Sequence, residues 1–344
     1  MAFESMTGNN NQAALMVALS RLPCFNALPL SQISALDAGL SQPCFQLQYQ
    51  GKAYFAKYVG KGSIEPHACQ LASAVALAPS VLFVKDAWLI TEFIQGISLD
   101  KSGYNDADKL TQMLALLARC HAIDFAATHF TASMGAVSGK GLAELDSLTV
   151  ITSLLQQVQL SQNQATVLSR LSQLLQQNLA KALAAQQDSQ AVFCHGDGNF
   201  SNAIIDNNHA IKRTSSRVVL VDFECACIAP PAYDLAMLMA VNVIPAAAAS
   251  AVTTKYNQLV MALNPAENTG EIVDNMTINT ASKRTESSSL VTRYFGIACL
   301  INGLWYLSQY QQCQSEIYQQ KAIEQFALLS DRYVSIHSVL NEMR

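Results

Sequence analysis

Residues 195 to 202 read His195-Gly196-Asp197-Gly198-Asn199-Phe200-Ser201-Asn202, and Asp222 stands shortly after in Val221-Asp222-Phe223-Glu224. No other stretch restricts the possible folds so strongly, because its polar groups are useful only if flanking apolar strands hold them at fixed spacing. Phe200 to Ile205 and Arg217 to Phe223 are rich in β-formers, and the polar Asn207-Asn208 and Thr214 to Ser216 segments between them predict a hairpin. Such a hairpin brings Asn202 toward Asp222. The pattern H-x-D-x-x-x-x-N followed by D-F-E has the spacing of phosphoryl-transfer chemistry. That chemistry asks for a carboxylate to take the proton of an attacking hydroxyl, and for an amide oxygen and a second carboxylate to hold magnesium on nucleotide phosphates. Asp197 fits the base, and Asn202 and Asp222 fit the magnesium ligands, since a hard cation takes oxygen donors.

At 344 residues and 51% hydrophobic composition the chain is long enough for two lobes with a substantial core. Its formal net charge of -4, with scattered lysines and arginines, offers no footprint for a nucleic acid polymer or an anionic membrane. Met1 to Ser5 followed by Asn9 to Gln12 lacks a basic region leading into an apolar run, so no secretory signal is expected, and no apolar run is expected to span a bilayer. The nine cysteines have no metal-ligand spacing, and Cys225 and Cys227 are too close in sequence for the usual zinc pair. A reducing cytoplasm is the expected compartment.

Apolar spacing predicts short helices over Ala13 to Leu19 and Leu30 to Leu36, then strands over Phe45 to Tyr49, Ala53 to Val59, Val81 to Val84 and Trp88 to Phe93. These make a β-rich nucleotide lobe over residues 1–96 with a helical N-terminal extension, ending near Gly96, where a missing side chain permits a hinge bend. Residues 97–344 read as a larger, mainly helical lobe. Asn105-Asp106 is expected to cap a helix with Leu110, Met113, Leu114 and Leu117 on its core face, and Leu168, Leu171, Leu175, Leu179 and Leu183 mark another stripe. Residues 264–289 carry almost no periodicity and are expected to form a mobile insertion, followed by helices over Leu290 to Tyr310 and Ala322 to Val339.

At these residues the chain resembles the aminoglycoside phosphotransferase and choline kinase superfamily. Leu117-Ala118-Arg119-Cys120-His121-Ala122-Ile123-Asp124 is similar to the family's L-x-x-L-H-x-I-D helix end, and Tyr233-Asp234-Leu235-Ala236 to its Y-D-L-A helix start. Ala78-Pro79 followed by Trp88 to Gly96 resembles its hinge segment, and Gly39-Leu40-Ser41-Gln42 its G-L-S/T-N turn, with Gln42 and Pro43 as departures. The matches run from about Gly39 to Ala240, with a weaker echo at Gly303 to Tyr306. The resemblance implies an α+β, protein-kinase-like two-lobed fold and an enzyme that uses ATP and magnesium to phosphorylate a small hydroxylated molecule. It implies that Lys57 grips phosphate with Glu65 as its partner, that Ser41 lies in the phosphate turn, and that backbone groups of Glu92, Phe93 and Ile94 bind adenine. Pro66 after Glu65 suits only a first helical turn. His195 is expected to brace the catalytic loop on backbone, Asp234 to anchor that loop and cap its own helix, and His121 to pack. Glu224, in place of the glycine of D-F-G, is open to a second metal, a cationic substrate or plain solvent exposure.

The acceptor is less marked. Trp305, Tyr306 and Tyr310 can share part of one helix face and Tyr233 stands just past the D-F-E strand; aromatic faces attract organic cations, although core packing is the commoner use of such spacing. Choline, ethanolamine or thiamine is the first expectation, with Glu224, Tyr233 and Trp305 as substrate contacts; aminoglycosides, sugars and homoserine are alternatives. A kinase-like module that binds nucleotide or a partner without catalysis is the competing class. The oligomeric state is not legible.

Overall fold

Along Cys44–Tyr49 (β2), Phe45 and Leu47 are fully buried and turn inward to meet the partners that fix the sheet. In the computed structural model, which describes residues 9–26, 28–36, 42–85, 87–125, 141–185, 190–207, 217–263 and 286–343, β2 lies between Ile33–Leu36 (β1) and Lys52–Tyr58 (β3). Trp88–Glu92 (β5) and Val81–Lys85 (β4) complete a five-stranded antiparallel sheet in the order β1-β2-β3-β5-β4. Phe45 faces Ala56, and Ala56 faces Ile90, so one sheet face closes over Leu19, Leu22 and Phe25 at the end of Asn9–Ser20 (α1). Each of the larger side chains buried there contributes roughly 1.5–3 kcal/mol. The opposite parity carries Lys57, which pairs with Cys44 and Leu89 across the sheet. Gln50 and Gly51, both at positive φ (52° and 76°), make the tight β2–β3 turn.

The chain divides into two units. The first comprises the described residues of Met1–Ile97, Phe125–Leu142 and Ile204–Glu224; the second those of Ser98–Asp124, Ala143–Ala203 and Cys225–Arg344. Asp222 and Glu224 therefore share a unit with Lys57. Within the first unit, Glu65–Ala74 forms α2 with Pro66 in its first turn; Gly96–Ser98 (β6), Ala203–Asp206 (β8) and Val218–Leu220 (β9), with only Ser98 and Ala203 outside this unit, form a small sheet in the order β6-β8-β9. The expected 200–223 hairpin is seen as β8 beside β9, with the Asp206 N–H donating to the Arg217 carbonyl at 2.8 Å.

The second unit is helical apart from Val192–Cys194 (β7), which pairs antiparallel with Cys227–Ala229 (β10). Asp106–His121 (α3) starts on Asn105, whose side chain accepts from the Asp108 N–H, and Ser147–Gln157 (α4) starts on Asp146 in the same way. Gln162–Ala185 (α5), Pro231–Val241 (α6), Ala249–Leu263 (α7), Ser288–Cys313 (α8), Glu316–Ser330 (α9) and Ile336–Met343 (α10) follow. α6 is buried on every side from Pro231 to Ala240, as a helix with no polar stripe must be.

Several expectations need correction. Leu30 to Leu36 is a short 3-10 turn, Leu30–Gln32, leading into β1; the three-residue apolar spacing yields to pairing of Ile33 with Leu47. The final helix is two, because the chain turns at Arg332 and Tyr333, whose N–H groups donate to the Leu329 carbonyl. Ser288 and Ser289 already belong to α8, capped by Ser287, while 264–285 lies outside the described residues. α8 is also long and apolar enough to cross a membrane, contrary to the sequence expectation, but its apolar positions are buried against α4, α5, α6, α7 and α9. Gly96 is also required for close approach, since a Cβ there would stand 2.0 Å from the Ile205 carbonyl oxygen.

Candidate active site

In the first unit the side chain of Lys57, 5% exposed, points from β3 at three carboxylates. Its Nζ lies 2.9 Å from Glu65 Oε1, 2.7 Å from Asp222 Oδ1 and 3.7 Å from Glu224 Oε2. Burial alone would lower the Lys57 pKa, but Glu65 and Asp222 outweigh it and hold the ammonium well above the ordinary lysine range. Glu65, 2% exposed, shares that single ammonium with two other acids, and burial pushes its carboxyl up to about 7 against the pull of Lys57. Its Oε2 is buried without a hydrogen-bond partner among the described residues. Asp222 reaches Lys57 from a left-handed backbone, φ 65°, a conformation that aspartate tolerates better than most residues. The adjacent Phe223 is fully buried and anchors the turn.

The segment after β5 is prepared differently. The Glu92 N–H donates to the Ser80 carbonyl and the Phe93 N–H to the Ala53 carbonyl, and the Ile94 N–H has no backbone partner among the described residues. The Glu92 side chain is held by Arg217, which also donates to the Ala78 carbonyl. A cavity of about 640 Å³ in this unit is lined by Gln46, Gln48, Ala53, Glu92, Phe93 and Gln95, a volume within the range of small-molecule sites. Ser41 lies outside the described residues.

In the second unit the 195–202 loop follows β7. Gly196, at φ 80°, passes so near the Cys225 carbonyl that a Cβ would stand 2.0 Å from its oxygen, so only glycine fits. Buried Asp234 in the first turn of α6 accepts from the His195 N–H at 2.8 Å and the Gly196 N–H at 2.7 Å. His121 Nε2 lies 2.9 Å from the same carboxylate, and its Nδ1 lies 2.8 Å from the Tyr256 hydroxyl. Burial would raise the Asp234 pKa, yet these bonds and the nearby imidazoles hold it below the usual range. Asp234 does not cap α6, because the cap position is Pro230 and no side chain bonds there. His195 is fully buried, and its Nδ1 accepts from the Asp197 N–H at 3.3 Å. Asn202 Nδ2 donates to Asp197 Oδ2 at 2.9 Å, and the Asn199 N–H donates to Asp197 Oδ1 at 3.3 Å. The carboxylate of Asp197 is thus fixed at both oxygens.

Of the proposed substrate contacts, Tyr233 is buried edge-on against Tyr294 in the helical core. Trp305 is half-buried, with ring centroids 5.2 Å from Tyr306 and 6.1 Å from Tyr318. The third ring of the cluster thus comes from α9. Lys321 Nζ stands 5.3 Å over the Tyr306 ring, whose hydroxyl pKa is raised by burial and further by the negative charge of Asp197. Sequence reasoning missed Asn242, Arg217 and Lys321, and gave His121 only a packing role. A polar residue ending the apolar run of α6 was the one local sign of Asn242.

A buried lysine–glutamate pair on the antiparallel sheet of one unit, and an Asp–Asn loop anchored on a buried helical aspartate in the other, accompany a protein-kinase-like fold. The profile of the phosphotransferase enzyme family matches residues 63–259, and the chain belongs to that family. Its fold is similar to a choline kinase from Cryptosporidium parvum (14% identity, 96% of this chain and 99% of that one, TM-score 0.63). It is also similar to a microcompartment-associated aminopropanol kinase (13% identity, 94% and 97%, TM-score 0.61) and to LicA solved in complex with AMP (15% identity, 94% and 100%, TM-score 0.58). No curated protein matches the chain significantly.

Proposed function

We propose that this kinase transfers the γ-phosphoryl group of ATP to the hydroxyl of a small amino alcohol of the choline or ethanolamine type, with thiamine as the next acceptor. The observation that carries the reaction is the Lys57 ammonium held against Glu65 and Asp222, a buried cation placed to meet phosphate. Asp197 accepts the acceptor hydroxyl's proton, and the hydrogen bonds to both of its carboxylate oxygens hold it in place for that step. The Ile94 N–H, without a backbone partner among the described residues, is the donor to adenine in this reading.

Magnesium suits the residues present: carboxylate oxygens of Glu65, Asp222 and Glu224 lie within 4.8 Å of one another, and Glu65 Oε2 lacks a hydrogen-bond partner among the described residues. Asp222 is its ligand in this reading. The ion would neutralise charge on the transferring phosphoryl group. The amino-alcohol acceptor is supported by the aromatic cluster of Trp305, Tyr306 and Tyr318, since ring faces attract organic cations as the Tyr306 ring attracts Lys321. Nine free thiols suit a reducing cytoplasm.

The test is ADP release coupled to a panel of choline, ethanolamine, 1-amino-2-propanol, thiamine, kanamycin, homoserine and glucose. An amino alcohol should raise release at least tenfold above nucleotide hydrolysis alone. Kanamycin, homoserine or glucose as best acceptor would reassign the substrate, and no ADP release with any of them would favour a binding module.

A further inference from the structure

The catalytic loop is held a second time, from the far end of α6. Asn242, the residue that ends this helix, accepts from the Phe200 N–H with Oδ1 at 3.1 Å and donates with Nδ2 to the Gly198 carbonyl at 3.0 Å and the Leu238 carbonyl at 2.7 Å. Only the bond to Leu238 serves the helix end. The other two bracket Asn199, the residue through which the loop is organised. The Asn199 N–H donates to Asp197 Oδ1, its side-chain oxygen accepts from the Ser201 N–H at 3.0 Å, and its carbonyl accepts from the Asn202 N–H at 2.9 Å. Asn202 in turn donates to Asp197 Oδ2. Both carboxylate oxygens of Asp197 are therefore oriented by groups whose places follow from the 198–200 backbone. That backbone is pressed on α6, where a Cβ at Gly198 would lie 3.0 Å from Leu238 Cα.

We infer that Asn242 is a positioning residue for phosphoryl transfer, acting through Asp197 by fixing the loop on its C-terminal side, while Asp234 fixes it on the N-terminal side. The inference rests on Asp197 being the base. It gives α6 two opposed anchors, one in its first turn and one at its end, so the helix works as a rigid ruler for the loop. A helix-end role alone would require neither bond to the loop.

The experiment compares Asn242→Ala and Asn242→Ser in the wild-type and Asp197→Asn backgrounds, by single-turnover ADP formation, steady-state constants and thermal unfolding. A serine hydroxyl can still reach the carbonyl four residues back, at Leu238, but cannot span Gly198 and Phe200 together, so the serine variant separates the two roles and guards against misfolding of the alanine variant. Both substitutions should lower kcat by about tenfold to a hundredfold, the scale of a misplaced reacting group, with KM for nucleotide and acceptor within about threefold. In the Asp197→Asn background the further loss should shrink below about twofold, because orienting an absent base has no effect. Wild-type kcat in the serine variant, or an equal loss in both backgrounds, would overturn the inference. Collapse of Asp197→Asn with intact Asn242 variants would overturn it alone, whereas undiminished turnover in Asp197→Asn would remove the base assignment and this inference with it.

Discussion

Asp197 and Trp305 are the single side chains on which the proposed chemistry and acceptor depend most directly. The carboxylate of Asp197 accepts from Asn199 and Asn202; Asp197→Asn is isosteric and keeps one of the two acceptor oxygens, while Asp234 and Asn242 still hold the loop backbone. Turnover should fall by about two to four orders of magnitude while magnesium-nucleotide affinity stays within a factor of a few, as expected when only the proton acceptor is lost. Turnover within threefold of wild type would remove Asp197 from that role. For Trp305, leucine keeps apolar bulk but removes the ring face, and cation–π contacts are worth roughly 0.5 to 2 kcal/mol. The acceptor KM should rise by several-fold to about thirtyfold with the nucleotide KM unchanged. The competing outcome follows from the contacts with Tyr306 and Tyr318: a lower melting temperature with wild-type acceptor kinetics would make Trp305 a packing residue.

Elements meet at ends, and the start of α8 shows how an end can carry a titration. Glu286 precedes the cap residue Ser287, and its backbone is clasped by Asn257, whose Nδ2 donates to the Glu286 carbonyl and whose Oδ1 accepts from the Glu286 N–H at 3.0 Å. Burial pushes the Glu286 carboxyl up to about 7, although a bond from the Ser287 N–H pulls the other way. A carboxyl raised on folding favours the protonated native state. Its contribution is fully present below the unfolded pKa and is lost as pH rises through about 7. The stability of wild type minus that of Glu286→Gln, measured by urea unfolding, should therefore fall by something on the order of 2 kcal/mol between pH 4.5 and 8. A difference that stays flat or grows with pH would show that Glu286 is solvated. The same clasp explains why α8 begins two residues before the end of the expected insertion: Asn257 on α7 fixes the approach, and no local sequence pattern encodes a partner that distant.

Over the whole molecule, legibility followed the range of the interaction. The 195–202 motif, the Lys57 strand and the Asn105 cap are short-range patterns, and each was readable because its residues sit at fixed spacing in one segment. β1 was not, since Ile33 to Leu36 is a strand only by virtue of pairing with Cys44 to Leu47, and neither was the clamp of Asn242 on Gly198 and Phe200, 44 and 42 residues away. Tyr318 joined the aromatic cluster only once α9 lay beside α8. The charge around Lys57 is likewise a tertiary product. One ammonium faces three carboxylates there, so with all ionised, +1 and -3 leave two negative charges uncompensated. A bare triphosphate should be repelled by such a centre, and nucleotide should stabilise the protein only together with a divalent cation. At a hundredfold excess over its dissociation constant a ligand adds about 2.7 kcal/mol, which for a chain of this size raises Tm by a few degrees. Thermal unfolding with a non-hydrolysable ATP analogue should show that rise in magnesium and lose most of it in EDTA. Asp222→Ala should lose it in both conditions, since the substitution removes the carboxylate proposed to bind the metal and leaves Lys57 paired with Glu65. An equal rise with and without magnesium would mean that Lys57 alone carries the phosphate, and Asp222 would then be a structural partner of the lysine.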